Sequence, residues 1–268
     1  MSKVIGVIGC GWLGLPLAKS LVKKGYKVKG TTTSKEKLET LSTEGIAPFL
    51  VEVSEHEIQG DILEFLNGTD TLVVNIPPKL RGKGPKENYV RKIELLVANI
   101  STSAVREVLF VSSTSVYGDG QGEVDEETIP VPTSEAGKQL LATEELLKEH
   151  TLFKTTILRF AGLIGPDRHP IYMLSGRTNL SGGNAPVNLI HLEDCIGIMT
   201  SIIQNNLWGE TINGVYPAHP TKKSYYTQKA HEKGLNPPNY DTSDTENPKI
   251  ITSCNPFITK IYVFSTSI

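Results

Sequence analysis

The run Gly9-Cys10-Gly11-Trp12-Leu13-Gly14 lies between an apolar stretch, Val4 to Ile8, and a segment of helical period that ends at Gly25. Three glycines spaced G-x-G-x-x-G between a strand and a helix form a seat for a dinucleotide pyrophosphate. Gly9 permits a tight turn, Gly11 lets the backbone approach the phosphates with no Cβ in the way, and Gly14 lets the helix pack close to the strand. The free N–H groups of the first helical turn, around Trp12 and Leu13, add about half a positive charge of helix dipole to hold them.

An NAD-preferring site carries an Asp or Glu about twenty residues further on, accepting hydrogen bonds from the ribose 2′-OH. Here the chain reads Gly30-Thr31-Thr32-Thr33-Ser34-Lys35. Hydroxyls at Thr32, Thr33 and Ser34 and the Lys35 ammonium stand where a carboxylate would repel a 2′-phosphate, so the expected cofactor is NADP, with NAD the second choice. Ser34 also reads as the cap of the next helix. Asn75 and Pro77, in Asn75-Ile76-Pro77-Pro78, end a later apolar run at the same edge and are expected to line the cofactor with backbone. Arg81 and Lys83 follow in a glycine-rich loop that could close over phosphates or an anionic substrate.

Short apolar runs alternate with helix-period segments and must position these residues. Val4 to Ile8, Lys27 to Thr31, Phe49 to Val53, Thr71 to Ile76, Val108 to Ser112 and Thr155 to Arg159 read as strands. Helices are expected before Lys24, from Ser34, over Ile62 to Leu66, from about Lys86 to Ile100, and from about Ser134 to Glu149. This order predicts parallel strands joined by right-handed crossovers, an α/β doubly wound sheet of Rossmann type. After Arg159, Gly, Pro and Asn break the alternation, so residues 1–160 read as the dinucleotide-binding domain and 161–268 as a small substrate lobe interleaved with it. In that lobe Glu193 to Gln204 and Ser224 to Lys233 read as helices, Pro237 to Pro248 as loop, and Ile258 to Phe264 as strand-like.

The 27 basic and 29 acidic residues are spread along the whole length, leaving no basic face for nucleic acid or anionic lipid. No apolar stretch is long enough to cross a bilayer. Cys10, Cys195 and Cys254 are far apart and show no C-x-x-C pair, so neither a zinc site nor a disulfide framework is suggested, which fits a cytoplasmic protein.

Four stretches together resemble the extended short-chain dehydrogenase/reductase superfamily, the NAD-dependent epimerases and dehydratases, and particularly its short atypical members. They are the glycine fingerprint, Phe110 to Gly118 (FVSSTSVYG), Leu158 to Pro166 (LRFAGLIGP) and Pro186 to Asp194 (PVNLIHLED). The resemblance implies that Ser113 touches the reacting centre and that a Tyr-x-x-x-Lys pair on the next helix moves the proton. No tyrosine stands between Tyr117 and Tyr172. Matched on Lys138, the tyrosine position is Ser134; matched on Glu144, the pair falls on Ala136 and Leu140. Ser113, Tyr117 and Lys138 are therefore the catalytic candidates, with a packing and turn role the competing reading of Tyr117. His191 and Asp194 lie in a segment that re-enters the substrate cleft in the family, with a hydrogen-bonded core role expected for His191. Arg159 and Arg168 could meet a substrate phosphate or carboxylate.

The leading expectation is an NAD(P)-dependent oxidoreductase or epimerase-like enzyme acting on a small polar substrate, sugar-derived in the resembling family. The alternative is a non-catalytic NADP(H)-sensing or binding module. Related enzymes dimerise through a four-helix interface, and Val90, Ile93, Val97, Leu140, Leu141 and Leu147 suggest a homodimer of that kind.

Overall fold

The computed structural model describes residues 3–80, 86–241 and 249–268. The chain begins with β1 (Val4–Ile8), α1 (Gly14–Lys23), β2 (Lys27–Thr32), α2 (Glu36–Thr43), β3 (Ala47–Val53), β4 (Ile58–Gly60), α3 (Ile62–Leu66) and β5 (Thr71–Val74). It continues with α4 (Tyr89–Ser101), β6 (Glu107–Ser113), a short 3₁₀ turn over Thr114–Val116, β7 (Glu123–Val124), α5 (Glu135–Lys148), β8 (Lys154–Phe160) and β9 (Gly162–Ile164). The last part holds α6 (Ile171–Leu174), β10 (Leu189–His191), α7 (Leu192–Gln204), β11 (Thr211–Gly214), α8 (Lys222–Glu232), β12 (Ile250–Ile251) and a π-helical turn over Phe257–Ile261.

Among the described residues the main sheet runs β11-β8-β6-β5-β1-β2-β3-β4, and every pair is parallel except β3 with β4. The strand order reverses between β1 and β5, whose neighbours lie on opposite sides. Such a switch point leaves a crevice at the C-terminal ends of the strands, which is where α/β sheets bind ligands. Gly9 and Asn75 stand at the ends of these two strands. The expected doubly wound sheet is present.

One face is covered by α4 and α5, whose Ile93, Leu96, Val97, Leu140 and Leu147 join a core with Val74, Phe110 and Ile157. Ile93, Val97, Leu140 and Leu147 are thus spent on the chain's own core, and Val90 and Leu141 are half-buried. This removes the ground for the expected helical dimer face: the helical period reports packing on the sheet. The other face is covered by α1 and α7, where Leu17, Leu21, Ile198, Met199 and Ile202 pack together.

The chain returns to the main sheet after Phe160: β11 extends β8 by the register Thr211↔Ile157 to Gly214↔Phe160. The remaining lobe is small, with Ile164, Ile171, Leu189, Tyr225, Tyr226 and Tyr240 as its core. The tail departs from expectation. Ile258 to Phe264 forms no strand, because Asn255 accepts the Phe257 N–H through its side chain and Tyr262 N–H closes on Phe257 O, winding the segment into a turn. Likewise α4 starts three residues later than expected, where Asn88 Oδ1 accepts the Arg91 N–H and caps it. No helix among the described residues is long and apolar enough to cross a membrane.

Candidate dinucleotide site and catalytic edge

The three glycines have three different surroundings. Gly9 has φ +98°, and a Cβ there would stand 2.6 Å from Asn75 O. A Cβ on Gly14 would stand 2.2 Å from Gly9 O, so the start of α1 can lie against the end of β1 only without one. At Gly11 a Cβ would meet nothing within 4 Å. Gly9 and Gly14 are therefore required by the protein itself, whereas the space at Gly11 is open. Among the described residues no acceptor takes the N–H groups of Trp12 or Leu13, while Leu15 N–H already closes on Gly11 O. Two donors and an open approach at the N-terminus of a ten-residue helix suit an anionic diphosphate.

The loop is held from both neighbouring strands. Gly9 N–H donates to Thr31 Oγ1 at 3.0 Å and Cys10 N–H to Thr31 O at 2.9 Å. From β5, Asn75 N–H donates to Ile8 O, and its side-chain amide donates to Gly9 O at 3.0 Å. Asn75 thus fixes the loop with its side chain, and Pro77 is exposed at the same edge. The Cys10 thiol is buried behind the loop, which pushes its pKa up to about 12 and makes it inert. Thr31 lies within the segment read for the ribose, and only the fold reveals its grip on Gly9.

At the end of β2, Thr32 Oγ1 accepts the Ser34 N–H, and Thr33 and Lys35 follow in the turn into α2. The Ser34 hydroxyl donates to the Glu36 carboxylate at 2.5 Å. Hydrogen bonding from Ser34 holds that carboxyl below its usual range. Glu36 lies one residue beyond the window read as free of carboxylates, and it places a negative charge beside Ser34. Arg81 and Lys83 lie outside the described residues.

Ser113 ends β6 half-buried, with its Oγ accepting the Ser115 N–H at 3.1 Å. Tyr117 is a different matter. Its side chain is 1% exposed; its hydroxyl donates to Asp125 O at 2.6 Å and accepts from Arg159 Nη1 at 2.8 Å, with Asn213 Oδ1 at 3.2 Å. Burial raises its pKa, against the opposing pull of Arg159. A phenol so engaged has no free face for substrate, which corrects its candidacy as a base: it is a core residue that ties β6 to β8 and β11.

Lys138 is corrected too. The buried face of α5 runs Ala136, Leu140, Thr143, Glu144 and Leu147, whereas Lys138 is exposed. Residues 136, 140 and 144 share one helix face and residue 138 falls about 200° away. Ser134 is the N-cap, its hydroxyl accepting the Gly137 N–H. The inward positions therefore follow the register anchored on Glu144, and they carry Ala136 and Leu140, neither of which can move a proton.

Glu144 itself is held by Arg159 Nε at 3.1 Å and Nη2 at 2.6 Å, and it accepts from Ser112 Oγ at 2.5 Å. Arg159 is thereby enclosed in the core, its donors engaged by Glu144 and Tyr117. Asp194 also turns out structural: its carboxylate accepts from Tyr262 Oη, from Ser265 N and Oγ, and from Thr266. His191 caps α7, its Nδ1 accepting the Glu193 N–H. The second lobe reaches the glycine loop through Trp12. Trp12 Nε1 donates to Asp167 Oδ1 at 3.0 Å, and the Arg168 guanidinium lies over the indole, 4.9 Å from the ring centroid.

Residues 4–79 match the family described as the NAD binding domain of 6-phosphogluconate dehydrogenase. The chain is 38% identical over 251 residues to protein YeeZ of Escherichia coli, covering 93% of this chain and 91% of that protein. It is 24% identical over 239 residues to the uncharacterized UDP-glucose epimerase YtcB of Bacillus subtilis, covering 79% and 76% respectively. In structure it is similar to the UDP-glucuronic acid 4-epimerase of Bacillus cereus solved with NAD, with a TM-score of 0.81 at 19% identity, covering 99% of this chain and 93% of that one.

Proposed function

The chain belongs to the extended short-chain dehydrogenase/reductase superfamily, in the family of the E. coli protein YeeZ, and on that premise we propose that it binds a nicotinamide dinucleotide on the Gly9–Gly14 loop. The observation that carries this reading is the open approach at Gly11 beside the free N–H groups of Trp12 and Leu13, at the point where the strand order reverses. The cofactor would supply hydride transfer. The chain would supply the phosphate seat and, from Ser113 at the end of β6, a hydroxyl directed to the oxygen of a small polar substrate. The solved epimerase acts on a UDP-sugar, which makes sugar nucleotides the substrates to try first. Three free cysteines, two of them buried, fit the reducing cytoplasm.

Within that reading NADP is preferred to NAD, on the hydroxyls of Thr32, Thr33 and Ser34 and the Lys35 ammonium. Glu36 opposes a 2′-phosphate from the same turn, so its removal isolates the cationic contribution. Titration with NADPH and NADH, followed by cofactor fluorescence, tests both levels. NADPH is expected to bind more tightly, Lys35→Ala to narrow the gap and Glu36→Gln to widen it. Equal affinities, or an NADH preference that survives Glu36→Gln, overturn the NADP assignment.

One observation favours a second reading, a module that senses or carries NADP(H) without turnover. The inward face of α5 presents Ala136 and Leu140, and Tyr117 is enclosed by Arg159 and Asp125. Tight NADPH binding with no turnover across sugar nucleotides and small alcohols selects this reading; turnover that fails in Ser113→Ala selects the enzyme.

A further inference from the structure

The contact between Trp12 and the segment Gly165-Pro166-Asp167-Arg168 joins the glycine loop to the second lobe and holds a cation beside the loop. Gly165 N–H donates to Arg168 O at 2.8 Å and Arg168 N–H to Gly165 O at 3.2 Å, which closes a tight turn. A Cβ on Gly165 would stand 2.8 Å from Trp12 Cζ2, so the turn is shaped to the indole. Asp167 takes the indole N–H at the ring edge, and Arg168 lies over the ring. Among the described residues no carboxylate forms an ion pair with Arg168, and the residue is exposed. Stacking on an indole restrains a guanidinium without consuming its five N–H donors, whose planar fork matches phosphate oxygens. The next residue before that indole is Gly11, where the approach is open.

We propose that Arg168, held in place by Trp12, receives a phosphate oxygen of a diphosphate-bearing ligand seated over the glycine loop, so that the second lobe senses occupancy of that loop. This rests on the dinucleotide reading above and deepens it. The diphosphate can belong to the dinucleotide or to a nucleoside diphosphate substrate, and the two are separable with NADPH and UDP as probes. Arg168→Met removes the donors from an exposed position, so the variant should fold as the wild type does. A charge-assisted hydrogen bond of this kind corresponds to a loss of about ten-fold or more in affinity. Arg168→Lys, which keeps the charge and loses the planar fork, is expected to lie between, and rising salt should narrow the differences. The chain has two tryptophans, Trp12 and Trp208, so in a Trp208→Phe background the emission of Trp12 alone reports ligand arrival.

Titration of the full chain, with Gly11→Val as the control for the loop itself, reads the result. Weaker NADPH binding in Arg168→Met supports the inference and assigns the phosphate to the dinucleotide. Weaker UDP binding with NADPH unchanged supports it and assigns the phosphate to a substrate nucleotide. No loss for either probe, alongside abolished NADPH binding in Gly11→Val, overturns this inference and leaves the dinucleotide reading standing. A wild-type protein that binds neither NADPH nor NADH overturns both.

Discussion

Arg159 and Glu144 form an ion pair at 2.6 Å with side chains only 4% and 1% exposed, and it joins β8 to α5 beneath the candidate catalytic edge. The pair is completed by Ser112 on the carboxylate and by Tyr117 on the guanidinium. Removing one member leaves a buried charge unpaired, at a cost of about 3–5 kcal/mol. Glu144→Gln and Arg159→Met should each lower the thermal unfolding midpoint sharply, whereas the Glu144→Leu, Arg159→Met double variant should recover much of the loss. A double variant as unstable as the sum of the singles would show that the pair contributes more than mutual neutralisation.

The glycines separate ligand binding from folding. Gly11→Val should leave the unfolding transition near that of the wild type and abolish NADPH binding, since its Cβ enters the open space proposed for the diphosphate. Gly14→Ala should instead destabilise the protein before any ligand is added, because its Cβ meets Gly9 O. Unchanged NADPH affinity in a folded Gly11→Val protein would reduce the loop to a structural turn.

Tyr117→Phe should act on stability. Loss of a hydroxyl that Arg159 and Asp125 both engage costs about 1–3 kcal/mol. With any substrate that is turned over, the pH profile of kcat should keep its shape in this variant, and Lys138→Met should match the wild type. A shifted pH profile in Tyr117→Phe with stability unchanged would restore the phenol to the proton relay.

Asp194 is 0% exposed and anchors the tail through Tyr262, Ser265 and Thr266. Asp194→Ala should free residues 262–268, seen as faster proteolysis of the C-terminus and more rapid amide exchange there. Equal protection in the variant would mean that packing of Phe257 and Tyr262 suffices.

His169 sets a pH dependence in the second lobe. Its Nδ1 accepts the Ile171 N–H and its Nε2 lies 3.0 Å from Tyr225 Oη, so the ring is held neutral. Burial, with Lys233 and Lys229 nearby, lowers its pKa from 6.5 to about 4. The unfolded chain binds the proton more readily, so this contribution to stability is complete above about pH 6.5 and is lost as the pH falls towards 4. His169→Gln should flatten the acid side of the stability curve; an unchanged curve would place the titration elsewhere.

The sequence by itself determined what depends on neighbours along the chain. The six expected strands appear within a few residues of their bounds, because short apolar runs closed by turn residues are local properties, and the glycine spacing marked the turn from β1 into α1 for the same reason. It also located the missing phenol, which is a matter of composition between Tyr117 and Tyr172. Only the tertiary structure decided which side chains face one another. Ser113 and Tyr117 are four residues apart, yet a 3₁₀ turn leaves one half-buried at the C-terminal end of β6 and sends the other into the core. Lys138 and Glu144 share a helix, and packing on the sheet puts the first in water and the second against Arg159. The return of β11 to the sheet, the capture of the tail by Asp194 and the stacking of Arg168 on Trp12 each join segments distant in sequence. Their partners are selected by three-dimensional packing, and no local pattern encodes it.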